Sequence, residues 1–153
     1  MRGFSPVRWR VPPRNPILRP MGERTNTDVF IVEDSPAVRD GLIDLLKDLE
    51  GVRVVGTADS PGSAIEAILQ TRPQCVVLDF QLIGGTAIDV LRGVRPALPD
   101  AVVSVLTNYP NPTCRRACIK AGADWFLDKS TEFESIRTIV AGLAPSAALT
   151  CTG

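Results

Sequence analysis

The chain has 153 residues, 44% hydrophobic and 22% charged, an ordinary globular composition with room for one sizeable domain. Its formal charge is zero, it has no histidine, and no apolar run approaches the roughly 20 residues of a membrane-spanning helix. Histidine-based catalysis, histidine metal ligation and a phosphohistidine of its own are therefore excluded, and no membrane span is expected.

Charge is distributed unevenly. Residues 1–24 carry six arginines (Arg2, Arg8, Arg10, Arg14, Arg19 and Arg24) against Glu23 alone, and five prolines (Pro6, Pro12, Pro13, Pro16 and Pro20) interrupt the same stretch. Such a segment has no apolar face to bury and predicts a disordered basic arm over residues 1–26. It lacks the apolar core of a secretory signal, and its prolines spoil a mitochondrial transit helix, so a cytoplasmic location is expected. Met21, just ahead of the first strand, is an alternative start. The remainder holds eleven cations against sixteen carboxylates, which argues against nucleic-acid binding by the domain itself.

From Thr27 onward, strand-like and helix-like segments alternate through five rounds, the pattern of an α/β doubly wound parallel sheet with helices on both faces. The first strand spans 28–33; Ser35 then caps a helix with Pro36 in its first turn, and Val38, Leu42, Leu45, Leu46 and Leu49 share one face before Gly51. A strand at 52–57 leads to Ser60-Pro61 and a second helix with Ile65, Ile68 and Leu69 inward. After the strand at 75–79, Thr86 opens a third helix carrying Ile88 and Leu91 and stopping near Pro96. The strand at 101–107 precedes a helix over 112–121 that ends at Gly122. The last strand, 124–128, is followed by Thr131 and Glu134 in capping-box spacing and by Phe133, Ile136, Val140 and Leu143.

The folded domain is thus expected at 27–143. Residues 144–153 read as a flexible tail with room for neither a DNA-binding helix pair nor a catalytic module. Cys75, Cys114, Cys118 and Cys151 lack paired metal-ligand spacing and read as reduced, structural thiols. Cys114, Ala117, Cys118 and Ala121 fall on one inward helix face.

Chemical side chains close the apolar runs: Glu33 and Asp34 after the first, Asp79 after the third, Thr107 after the fourth and Lys129 after the fifth. The carboxyl ends of parallel strands open onto a common crevice, where ligands bind in open α/β folds. Three carboxylates there repel one another and suit a hard divalent cation such as Mg²⁺. A hydroxyl and an ammonium beside them can receive an oxyanion.

An acidic pair, an aspartate 45 residues after Asp34, a threonine 28 further on and a lysine 22 beyond that closely resemble the receiver domain of two-component response regulators. The resemblance covers residues 27–143 and includes Val32-Glu33-Asp34-Ser35, Leu78-Asp79, Gly85 to Leu91, Val105-Leu106-Thr107, and Ala121 to Asp124 leading to Phe126 and Lys129. It implies a flavodoxin-like (βα)5 fold with strand order 2-1-3-4-5. Asp79 would be the phosphoacceptor, phosphorylated from a sensor histidine kinase, a histidine phosphotransfer protein or a small phosphodonor. Asp34 and Asp79 would bind Mg²⁺ directly, Glu33 through water, and Gln81 through its main-chain carbonyl. Lys129 would pair with Asp79 and then with the phosphoryl group, Thr107 would donate to that group, and Phe126 would move inward as a switch.

Ile83 and Ser130 replace two prolines common in the family, Ala87 replaces a glycine, and Asn108 stands where alanine or glycine is usual. The Gly84-Gly85 pair would supply the turn near the site, Asn108 would narrow access to it, and a trans bond is expected before Ser130. The resemblance implies a stand-alone, non-enzymatic switch acting through a downstream protein. Two other readings compete: a phosphorylation-independent interaction module, and a haloacid-dehalogenase-type phosphatase, whose second aspartate would stand at Gln81. Arg115, Arg116, Lys120, Asp124, Asp128 and Arg137 place charge on the fourth helix, fifth strand and fifth helix, read first as a solvated face and otherwise as a charged interaction face, a candidate homodimer surface.

Overall fold

Apolar runs such as residues 29–32 and 75–78 become strands here because each must cover two helical layers at once. The computed structural model describes residues 26–144. Apart from Asn26 and Ala144, the expected arm and tail lie outside the described residues. The elements are β1 (Thr27–Val32), α1 (Pro36–Leu46), β2 (Val52–Ala58), α2 (Pro61–Thr71), β3 (Cys75–Asp79), α3 (Ala87–Val94), β4 (Val102–Thr107), α4 (Pro112–Ala121), β5 (Trp125–Asp128) and α5 (Ser135–Leu143). The five strands form one parallel sheet in the order β2-β1-β3-β4-β5, the flavodoxin-like arrangement expected.

Successive side chains point to opposite faces of a strand, so each central strand feeds two cores. Val29, Ile31, Val77, Leu106 and Leu127 pack with Leu42 and Leu46 of α1 and Ile136 and Val140 of α5. Phe30, Val76, Leu78, Val103, Val105 and Phe126 pack beneath α2, α3 and α4. Between β1 and β2 the register shifts after Val29, so that Phe30 pairs with Gly56. A Cβ at Gly56 would lie 2.7 Å from the Phe30 ring, so this close approach requires glycine.

The helix starts follow local chemistry. Ser35 accepts the Val38 N–H with Pro36 in the first turn, and Thr86 with Asp89 forms a capping box on α3. Ser60 makes no such backbone bond; its hydroxyl lies 2.8 Å from that of Ser63. Asn111, which periodicity does not reveal, caps α4 by accepting the Cys114 N–H at 2.8 Å, and Gly122, at φ 118°, ends that helix.

The capping box expected at Thr131 and Glu134 does not form. The Glu132 carboxylate accepts the Asp128 N–H at 2.8 Å, while the Asp128 carboxylate accepts the N–H and hydroxyl of Ser130 at 2.9 and 2.7 Å. This turn uses up the residues before α5, which starts only at Ser135.

The expected charged face is dismantled for a related reason. Asp124 is buried, accepting the Val103 N–H at 2.9 Å, and Arg137 reaches across to Leu45 O and the Asp48 carboxylate near α1. Asp128 is committed to the turn. Only Arg115, Arg116 and Lys120 of that set remain as a cationic group on α4. Cys75 and Cys118 are buried and Cys114 is half-buried, and none of the three forms a disulfide. Burial pushes the Cys75 and Cys118 thiols up to about 12, with smaller contributions from Asp124 and Cys114 respectively, which leaves both unreactive near neutrality.

Arg95, at the end of α3, closes the structure at the amino ends of β4 and β5. Its guanidinium donates to Leu98 O (2.9 Å), Pro99 O (3.1 Å), Ala101 O (2.7 Å), Gly122 O (2.6 Å) and the Asp124 carboxylate (3.3 Å). The two side chains are 12% and 2% exposed, so removing the cation strands a buried carboxylate. Arg95→Met is expected to cost about 3–5 kcal/mol in urea unfolding with an unchanged m-value, and exposed Arg92→Met less than about 0.5 kcal/mol.

Candidate functional site

The carboxyl ends of β1, β3, β4 and β5 meet at one edge of the sheet, and hydrogen bonds continue past the strands to fix the residues there. The Glu33 N–H donates to Ala58 O at 2.9 Å, Phe80 N–H to Leu106 O at 2.8 Å and Lys129 N–H to Thr107 O at 2.8 Å. Glu33, Asp79 and Thr107 are buried, and Asp34 is half-buried. Carboxylate oxygens of Glu33, Asp34 and Asp79 lie within 4.8 Å of one another.

The Lys129 ammonium sits in their midst, 3.0 Å from Asp79 Oδ1 and 3.0 Å from Glu33 Oε1. Its second partner, Glu33, is not evident from spacing alone. The other Glu33 oxygen accepts the Ser35 N–H at 3.1 Å, tying the pocket to the cap of α1. Arg39 of α1 adds a long contact, 3.4 Å, to Glu33 O.

Burial raises the Asp79 carboxyl above the usual range; Asp34 adds to that rise, and the Lys129 hydrogen bond opposes it without cancelling it. Glu33 is likewise raised, first by burial and then by Asp79, against the pull of Lys129 and the Ser35 N–H. Burial alone would lower Lys129, but its hydrogen bonds to Asp79 and Glu33 outweigh it and hold the ammonium above its ordinary value. The result is one firmly charged cation among three carboxylates. The excess of negative oxygen donors fits a hard divalent cation held at carboxylates.

Thr107, at the end of β4, accepts the Tyr109 N–H on its hydroxyl oxygen at 3.1 Å and retains its own hydrogen for an acceptor. Phe126 pairs with Val105 in the sheet register and is only 6% exposed, so its ring is already inward. Gln81 lies two residues past Asp79 in a short antiparallel pairing of Gln81–Leu82 with Gly85–Thr86. Gly84, at φ 88°, makes the turn between them, as its sequence suggests. Ile83, in that turn, is 58% exposed, and Tyr109, just past Thr107, is 71% exposed. Asn108 is exposed, Ala87 is buried at the start of α3, and the described peptide bonds, Lys129–Ser130 included, are trans.

The family model for the response regulator receiver domain matches residues 29–141. The chain belongs to this family. It is similar to the DNA-binding transcriptional activator DevR/DosR of Mycobacterium tuberculosis, at 36% identity over 66% of this chain and 46% of the relative. A nitrate/nitrite response regulator protein homolog of Haemophilus influenzae is 32% identical over 74% of this chain and 57% of its own length. Among solved structures, a LuxR-family two-component response regulator from Aurantimonas sp. SI85-9A1 matches with TM-score 0.68 at 27% identity, covering 81% of this chain and 94% of that one. The chain spans about half the length of these curated relatives. Among the described residues no helix of this receiver domain is long and apolar enough to cross a membrane.

The imbalance of charge has a thermodynamic signature. A carboxyl whose folded pKa is raised stabilises the fold fully below its unfolded value and loses that contribution as pH rises through the folded one. In metal-free buffer, the receiver is expected to lose stability as pH rises from the ordinary carboxylate range through the raised values of Asp79 and Glu33. Asp79→Asn should flatten that loss and melt at or above the parent temperature at neutral pH. A melting temperature of the variant well below the parent's would show that the carboxylate is a net stabiliser.

Proposed function

We propose that this receiver is a phosphorylatable switch of a two-component phosphorelay, with Asp79 as phosphoacceptor and Mg²⁺ as cofactor. The observation that carries the reading is Lys129, 3.0 Å from Asp79 Oδ1 inside a buried pocket with two further carboxylates. Positioning and charge neutralisation are the main requirements of phosphoryl transfer, and this pocket has the parts for both.

An Asp79 carboxylate oxygen attacks the phosphorus of a phosphohistidine on a sensor kinase or phosphotransfer protein. A P–O bond forms, the P–N bond breaks, and the imidazole leaves with its electron pair. Asp34 and Asp79 would hold the metal, with the Gln81 main-chain carbonyl as a further ligand and Glu33 acting through water. A Mg²⁺ ion bound by these groups would supply the positive charge that offsets charge developing on the phosphoryl oxygens.

Lys129 exchanges its Asp79 oxygen for a phosphoryl oxygen, a role suited to a compact ammonium. The Thr107 hydroxyl donates to another. That new bond draws on the same hydroxyl that now accepts the Tyr109 N–H, and so reaches the loop leading into α4. Phe126 packs beside this path in the core under α4. Output runs through a downstream protein. A cytoplasmic location, where the thiols stay reduced, belongs to the same reading.

Acetyl phosphate with Mg²⁺ should add one phosphoryl mass to the parent and none to Asp79→Asn. Asp34→Asn should be labelled slowly and recover as the metal concentration is raised. A parent that takes up no phosphoryl mass would leave a phosphorylation-independent interaction module as the better account. Thr107→Ala should still be labelled, but its backbone amide shifts over residues 112–137 on phosphorylation should be largely lost, since a coupling of about 1–3 kcal/mol passes through this hydroxyl. Parent-like shifts in that variant would remove the threonine from the pathway.

A further inference from the structure

Along the carboxyl-terminal half of α4, the surface opens into a groove of about 580 Å³ between α3 and α4. Ile88 and Leu91 line it from α3, and Ala117 and Ala121 line it from α4, with Arg92 and Lys120 on its two walls. The groove follows from the sequence of α4. Its side chains toward α3 are alanines and a cysteine, too small to fill the space beside the larger residues of α3. One end is fixed, because Arg95 is held by Gly122 O and Asp124.

The charged side chains that line this groove, Arg92, Arg95 and Lys120, are all cations. Between Pro112 and Ala121, α4 carries Arg115, Arg116 and Lys120 and no carboxylate, and Arg92 of α3 stands across from it. Among the described residues, none of these four cations takes part in an ion pair. Yet residues 25–153 as a whole hold eleven cations against sixteen carboxylates. A local positive field above an apolar trough, on an otherwise acidic domain, selects a partner with carboxylates flanking an apolar stripe. Nucleic acid fits poorly, since the domain would repel a polyanion and no aromatic side chain lines the groove to stack on a base.

We propose that the groove between α3 and α4 docks an acidic amphipathic helix of a partner protein. Apolar residues at i, i+3, i+4 and i+7 fill the trough, and Asp or Glu on the flanks meet Arg92 and Lys120. The site uses no atom of the phosphoacceptor pocket, and it stands whether or not Asp79 is phosphorylated.

The test is a displayed library of helical peptides with leucine at those four positions and randomised flanks, selected on the full chain. Enriched peptides are then labelled with fluorescein and titrated by anisotropy. Selected peptides should be rich in Asp and Glu at the flanks and should perturb the amides of residues 88–95 and 115–121. They should bind about tenfold or more weakly to Arg92→Glu/Lys120→Glu, whose unchanged melting curve confirms the fold. A selection that yields no binder, no acidic bias, or binders indifferent to the double reversal overturns the proposal. So does sedimentation showing that a second copy of the chain occupies this face.

Discussion

One ammonium set between two buried carboxylates, with a third close by, is the constraint around which the rest of the receiver is arranged. Lys129 reaches Glu33 and Asp79 at equal distance and cannot neutralise them and Asp34 together. In water such a cluster would simply spread apart. Here β1, β3 and β5 fix the backbones, and the hydrogen bonds of Glu33 and Lys129 just past the strand ends remove the slack. The cost of holding like charges together is met by two apolar cores, one on each face of the sheet. The same confinement makes the pocket a receptor for positive charge, because burial denies the carboxylates the solvent that would otherwise screen them.

The opposite edge of the sheet shows the same physics with the opposite outcome. Arg95 at the amino ends of β4 and β5 finds five acceptors, and Asp124 finds both Arg95 and the Val103 N–H. A planar guanidinium with five donors can close such a site, whereas the point charge of Lys129 leaves oxygen lone pairs unspent. One buried ion pair therefore fastens β4, β5 and the end of α4 together, and the other leaves carboxylate oxygens open to a further cation. Exchange of the two cation types between these positions would loosen the first and crowd the second.

The fold was legible because its signals are local and repeated. Apolar runs marked the strands to within a residue at either end, and Ser35, Thr86 and Gly122 marked helix boundaries through their own side chains or conformation. The start of α5 was misread because Glu132 and Asp128 compete for the same turn, and spacing cannot say which carboxylate reaches a given N–H first. The site residues were legible as strand-end chemistry, but the double engagement of Lys129 was not, since Glu33 lies 96 residues away in the chain. Distance in sequence likewise hid the burial of Asp124 against Arg95 and the turn of Arg137 toward α1, and with them the loss of the expected charged face.

These distant pairings also determine which helix is free to respond. Arg137 ties α5 to α1, and the Thr27 hydroxyl donates to Leu143 O at the far end of α5. By contrast α4 is held mainly at its ends, by Asn111 and the loop beyond Thr107 on one side and by Gly122 and Arg95 on the other. Between those ends Cys118 is its only fully buried side chain, so few apolar contacts resist a small displacement. A hydroxyl drawn away from the Tyr109 N–H would act on the first of these anchors, while the second, buried and bonded to five acceptors, would serve as the pivot. Under the proposed function α4 is thus the element both exposed to a partner and mechanically connected to the pocket, and its thin packing is what lets a single hydrogen bond matter.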